Sequence, residues 1–134
     1  MDPKTPHFNT PPPPTPTRIE QAFALEREAH RLRGEQKIDQ AFHAFDQAAK
    51  LFQEAKEPLK AAVCFSSAAT CWNIHTGWQP LRNAATRNES AALQALEAHD
   101  AAYAETLFSE AALLYEKEGD FTKYSYCYRR AKDA

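Results

Sequence analysis

Three glycines are spread along 134 residues, and each follows the same packing signature. Leu25, Ala29 and Leu32 precede Gly34; Phe65, Ala69 and Trp72 precede Gly77; Phe108, Ala112 and Tyr115 precede Gly119. Each triplet reads large-x-x-x-Ala-x-x-large, and the alanines stand 40 and then 43 residues apart. Positions i, i+4 and i+7 share one face of an α-helix. An alanine there lets a neighbouring helix approach, and the large residues on either side fill the remaining grooves. A period of this length belongs to helical-repeat arrays. The fold class expected is therefore all-α. Three antiparallel hairpins, about six helices, each join near a glycine and stack into one continuous core.

The helix boundaries follow from local signals. Thr17 and Glu20 form a T-x-x-E capping box, which opens a first helix bearing Ile19, Ala22, Phe23, Leu25, Ala29 and Leu32. Ile38, Ala41, Phe42, Phe45, Ala48, Ala49 and Phe52 make one wide apolar face on the second. Pro58 suits the first turn of the third, whose stripe runs through Ala62, Phe65, Ala69 and Trp72. Residues 80–97 admit two readings. Leu81, Ala84, Ala85, Asn88, Ala92 and Ala95 fit one helix from Pro80, whereas Thr86 and Glu89 form a second capping box that would start it near Arg87. The single long helix is the reading preferred. Gly77 allows a left-handed C-cap after the third helix, and Asp100 and Asp120 are placed to cap two further helices, the fifth closing at Gly119. The run YSYCY alternates like a strand, but Phe121, Tyr124, Tyr128 and Ala131 keep helical spacing, and a lone strand would have no partner.

Seven of nine prolines fall within the first 16 residues, and composition then shifts abruptly to Ala, Glu, Gln, Leu and Phe. Residues 1–17 are therefore expected to be a disordered proline-rich tail, and residues 18–134 the helical domain. Pro11 to Pro14 would suit a reader of polyproline helices, or serve as a spacer.

The second helix carries Ala41, Phe45 and Ala48, the Ala-x-x-x-Phe-x-x-Ala of a tetratricopeptide repeat's second helix. In the third hairpin the same positions hold Tyr124, Tyr128 and Ala131, and the middle hairpin keeps no such triplet clearly. The longer period and AAKLFQEAKEPLKAAVCFSSAATCW look more like the tetratricopeptide-like helices of soluble NSF-attachment proteins. This resemblance implies a short right-handed superhelix that binds proteins. Vesicle trafficking is the alternative it raises. The C-terminal RRAKDA lacks the acidic, leucine-bearing end by which that family engages its ATPase.

Catalytic signatures are sparse. Cys64, Cys71 and His75 share nearly one helical face, the pattern a zinc- or thiol-dependent activity would need, but neither CxxC nor HxxxH supplies further ligands. No Walker loop, dinucleotide-binding glycine fingerprint or HExxH occurs, so no cofactor and no enzymatic activity are expected. Glu26/Glu28 and Glu116/Glu118 sit two apart and diverge. A net charge of −2 gives no footprint for nucleic acid, no segment is apolar enough to span a bilayer, and MDPKTPHFNT is no secretory signal. Three cysteines without framework spacing suit a reducing, cytoplasmic setting.

Protein or peptide binding remains, membership of a larger complex included. Helical-repeat arrays line a concave surface with the first helix of each hairpin. The candidates beside the packing triplets are Arg27, His30 and Arg33; Ser66, Thr70 and Asn73; and Ser109, Leu113 and Glu116. Trp78, in a connector, is a candidate contact anchor. The last helix carries an apolar stripe with nothing following to cover it, so Tyr124, Tyr126 and Tyr128 are expected to support homodimerisation or docking to another protein.

Overall fold

A computed structural model describes residues 17–74 and 80–134. Six helices follow in order: α1 (Arg18–Gly34), α2 (Ile38–Glu54), α3 (Pro58–Ile74), α4 (Pro80–Glu97), α5 (Ala101–Glu118) and α6 (Phe121–Asp133). Each packs extensively on the next in sequence. Long side chains also join helices two apart. Lys60 of α3 reaches Glu26 of α1, Arg87 of α4 reaches Asp46 of α2, and Lys123 of α6 reaches Glu89 of α4. The result is two layers, α1, α3 and α5 in one and α2, α4 and α6 in the other. The all-α helical repeat expected from the glycine-linked triplets is the fold observed.

The starts obey the capping chemistry. Thr17 and Glu20 close the capping box, and the Asp100 and Asp120 carboxylates accept from the amides of Tyr103 and Lys123. Residues 80–97 form one helix, and a hydrogen bond shows why. The Thr86 hydroxyl donates to the Arg82 carbonyl 2.9 Å away, one turn back inside the helix, and so caps nothing.

The helices end where expected, α1 at Gly34, α2 before Pro58 and α5 at Gly119, but the left-handed turns fall mostly on residues other than glycine. Gly119 takes the left-handed conformation, φ 85°, but the same conformation after α1, α2 and α4 falls on Gln36, Lys56 and His99, φ 66°, 64° and 60°. Each of these turns is closed by paired backbone bonds, as in Lys37 N–H to Leu32 C=O and Gln36 N–H to Arg33 C=O. Gly34 is instead the last residue of α1, and open space surrounds the point where a Cβ would sit. The first and third hairpins therefore do turn beside their glycines, though of the two only Gly119 takes the left-handed conformation itself. Gly77 lies outside the described residues.

Alanine dominates the interior. Ala22, Ala29, Ala48, Ala49, Ala61, Ala84, Ala91, Ala104 and Ala111 are fully buried, with Phe45, Phe52 and Phe108 filling between them. The structure also uncovers the middle hairpin's missing triplet. Ala84, Asn88 and Ala91 occupy α4 at the places of Ala41, Phe45 and Ala48 on α2, and all three are buried.

Candidate functional site

The layer of α1, α3 and α5 was the expected binding face, and the structure divides its candidates. Arg27, Thr70 and Ser109 are exposed on it. Thr70 turns its hydroxyl back to the Ser66 carbonyl, 3.1 Å away. His30 is exposed at its edge yet packs edge-on against Phe45, ring centroids 5.0 Å apart, and the Arg33 guanidinium stands 5.1 Å over the same ring. Ser66 is half-buried and lies close enough to the Tyr103 phenol of α5 to offset part of the rise that burial gives that phenol's pKa. Glu116 is exposed on α5. Tyr126 packs into the core and accepts a hydrogen bond from Arg130, 3.1 Å away. The side chain of Asn73, and His75 and Trp78 altogether, lie outside the described residues.

The same three helices also expose apolar side chains, of which the sequence reading names Leu113 alone as a binding candidate. Phe23 of α1, Leu59 and Val63 of α3, and Leu113 of α5 are 37 to 56% exposed. The signal was available: Leu59, Val63 and Leu113 fall off the buried stripes and sit half a turn away from the packing alanines. Phe23 keeps its place by an edge-on contact with Phe52, 5.0 Å between centroids, with the Lys60 ammonium 5.3 Å above it. Lys60 is in turn held by Glu26 at 3.0 Å.

The cysteines are interior. Cys64, Cys71 and Cys127 are all fully buried. Burial is the first cause raising each thiol, Cys64 to about 12 and Cys127 to about 11, with Cys71 moved the same way. The Glu26 carboxylate, accepting from the Cys64 Sγ at 3.7 Å, adds to the rise. Cys64 and Cys71 also belong to different parts of the core, Cys71 packing with Phe42 and Phe45 and Cys64 with the main cluster. A thiol that stays protonated and out of reach of solvent is a poor nucleophile.

Among the described residues, no group of three or more His, Cys, Asp or Glu side chains is placed to hold a metal ion, and no helix is long and apolar enough to cross a membrane. A hollow of about 340 Å³ is lined by Gln53, Lys56 and Pro58 from the end of α2 and the turn to α3, and by Gln94 and Glu97 of α4. Apart from Pro58 its walls are polar side chains, unlike the apolar lining with a few fixed polar groups that small-molecule sites use. No protein-family model, curated protein or solved structure matches the chain.

Proposed function

We propose that this chain is a non-catalytic interaction module, an adaptor or scaffold, that takes a segment of another protein along the outer face of α1, α3 and α5. The observation that carries the reading is the exposure of Phe23, Leu59, Val63 and Leu113 on α1, α3 and α5, helices that also expose Arg27, Thr70 and Ser109. Apolar side chains exposed on neighbouring elements offer surface that a partner segment can desolvate, with polar neighbours to fix its register. The Ala-x-x-x-Phe-x-x-Ala triplet and its resemblance to tetratricopeptide repeats support the same reading. The buried, high-pKa thiols speak against the thiol or metal alternative at Cys64, Cys71 and His75.

The test is affinity capture from native lysate with the full chain, a chain lacking residues 1–16, and the double variant Val63→Glu/Leu113→Glu. Both substitutions replace exposed side chains, so the melting temperature should hold. Partners retained by the truncated chain and lost by the double variant support the groove. Partners lost only on truncation would move the interaction to the proline-rich tail and sink the proposal.

A further inference from the structure

The register that equates Ala29, Ala69 and Ala112 also equates Arg27 of α1, Ser67 of α3 and Glu110 of α5, again 40 and then 43 residues apart. One position thus holds a cation, a hydroxyl and an anion on successive helices of the layer. Other charges on these helices follow the same trend. Lys60 is the one charged residue of α3, and Glu26 already neutralises it at 3.0 Å. On α5, Glu105, Glu110, Glu116 and Glu118 stand against Lys117 alone. Arg27 and Glu110 are both exposed, and neither makes an ion pair among the described residues.

Where Glu26 meets Lys60 between α1 and α3, the equivalent residues between α3 and α5 are Ser66 and Tyr103. Glu110 follows Tyr103 by seven residues on the same face of α5, and its charge adds to the rise in the phenol's pKa. Its side chain reaches solvent, yet burial alone pushes its carboxyl up, with no neighbouring cation to offset the cost. A carboxylate so placed gains from a cation that arrives with a ligand. Side-by-side helices stand about 8 to 10 Å apart, which puts Arg27 and Glu110 about 16 to 20 Å from each other. An extended chain covers that span in about five or six residues, at about 3.3 Å each. Val63, one turn before Ser67, offers exposed apolar contact on the way. The chain's own residues 1–16 do not match, since Asp2 and Lys4, their only charges apart from His7 and the terminus, stand two apart.

We propose that the face of α1, α3 and α5 binds an extended segment of a partner protein that lays an acidic side chain on Arg27 and a lysine or arginine on Glu110, with apolar side chains between. This deepens the interaction-module reading and rests on it, by naming the charge pattern of the partner. The probe is a display library of random peptides about eight residues long, panned on the full chain. Most enriched peptides are expected to carry an acid and a base about five or six residues apart, a minority pattern in the library. One such peptide is then measured by fluorescence anisotropy. Glu110→Gln, or Gln in place of the peptide's base, should each weaken binding about five- to tenfold, and both together no more than either alone. Panning on Glu110→Lys should instead enrich peptides with two acids at that spacing. Melting temperatures should hold, since Glu110 makes no ion pair to lose among the described residues. Enriched peptides without the charge pair, or losses that add in the cycle, would overturn the proposal and leave the module reading in place. No enrichment, or peptides that bind Val63→Gln/Leu113→Gln as tightly as the unaltered chain, would remove both.

Discussion

Arg87 of α4 grips Asp46 of α2 with two hydrogen bonds, Nε to Oδ1 at 2.7 Å and Nη2 to Oδ2 at 3.3 Å. The Asp46 side chain is only 9% exposed and that of Arg87 23%, and the guanidinium also stands 5.4 Å over the Phe42 ring. This forked contact spans neighbouring helices of one layer, so it fixes the angle between repeats as well as their separation.

Arg87→Met should therefore cost about 2 to 3 kcal/mol, chiefly because among the described residues it leaves a nearly buried carboxylate with only the exposed Lys50 as an ion-pair partner. Paired with Asp46→Asn in a double-mutant cycle, it should show a coupling of about 1 to 2 kcal/mol by urea unfolding. A coupling near zero would reduce the pair to an ordinary surface contact.

The turns make an inverted prediction about glycine. Gly34→Ala should raise stability by about 0.5 to 1 kcal/mol, since the site is helical and a Cβ meets nothing within 4 Å. Gly119→Ala should lose about 1 to 2 kcal/mol, because φ there is 85°. Gln36→Gly and Lys56→Gly should each gain a few tenths of a kcal/mol or more by relieving the left-handed conformation. Thermal melts of the four variants check the signs.

Alkaline pH should unfold the protein through its buried acids. Cys64 and Tyr115 are raised to about 12 and Cys127 to about 11, burial leading in each case, so the folded state favours their neutral forms. Their contribution is complete below the unfolded thiol and phenol values, about 8.5 and 10, and is lost as pH climbs through the folded ones. Stability measured between pH 8 and 11 should fall, with a shallower slope in Cys64→Ala. Thiol titration at pH 8 should find no reactive cysteine until denaturant is added, and rapid native labelling would contradict this.

Acid should act at the helix starts. Asp120 is held below the usual carboxylate range first by the Lys123 amide and then by Arg82, and Glu20 is lowered by the Thr17 amide. A depressed carboxylate stabilises the fold above its unfolded pKa, and that stability disappears as pH falls through the folded value. The loss should set in below about pH 4 and be smaller in Asp120→Asn, whose side chain can still cap without titrating. An unchanged acid transition in Asp120→Asn would remove this assignment.

Local chemistry made most of the fold legible in the sequence. The Thr17–Glu20 box, the Asp100 and Asp120 caps and the alanine triplets are interactions within a few residues, so spacing alone determined where helices begin and which face they bury. Tertiary structure decided what spacing could not express. Asn88 hid the middle triplet because it stands 43 residues after Phe45 without the aromatic ring that marks the pattern, although its helical spacing already put it on the packing face. Gln36, Lys56 and His99 take the left-handed turns because short connections between packed helices impose that geometry whatever the residue. His30, Arg33 and Ser66 went to interhelical contacts, while Phe23, Val63 and Leu113 were left on the outer face. Exposure depends on which helix stands opposite, a relation between residues some forty positions apart. The sequence by itself determined the repeating helix and its packing stripe; only the stacking of the layers decided which side chains remain free to meet a partner.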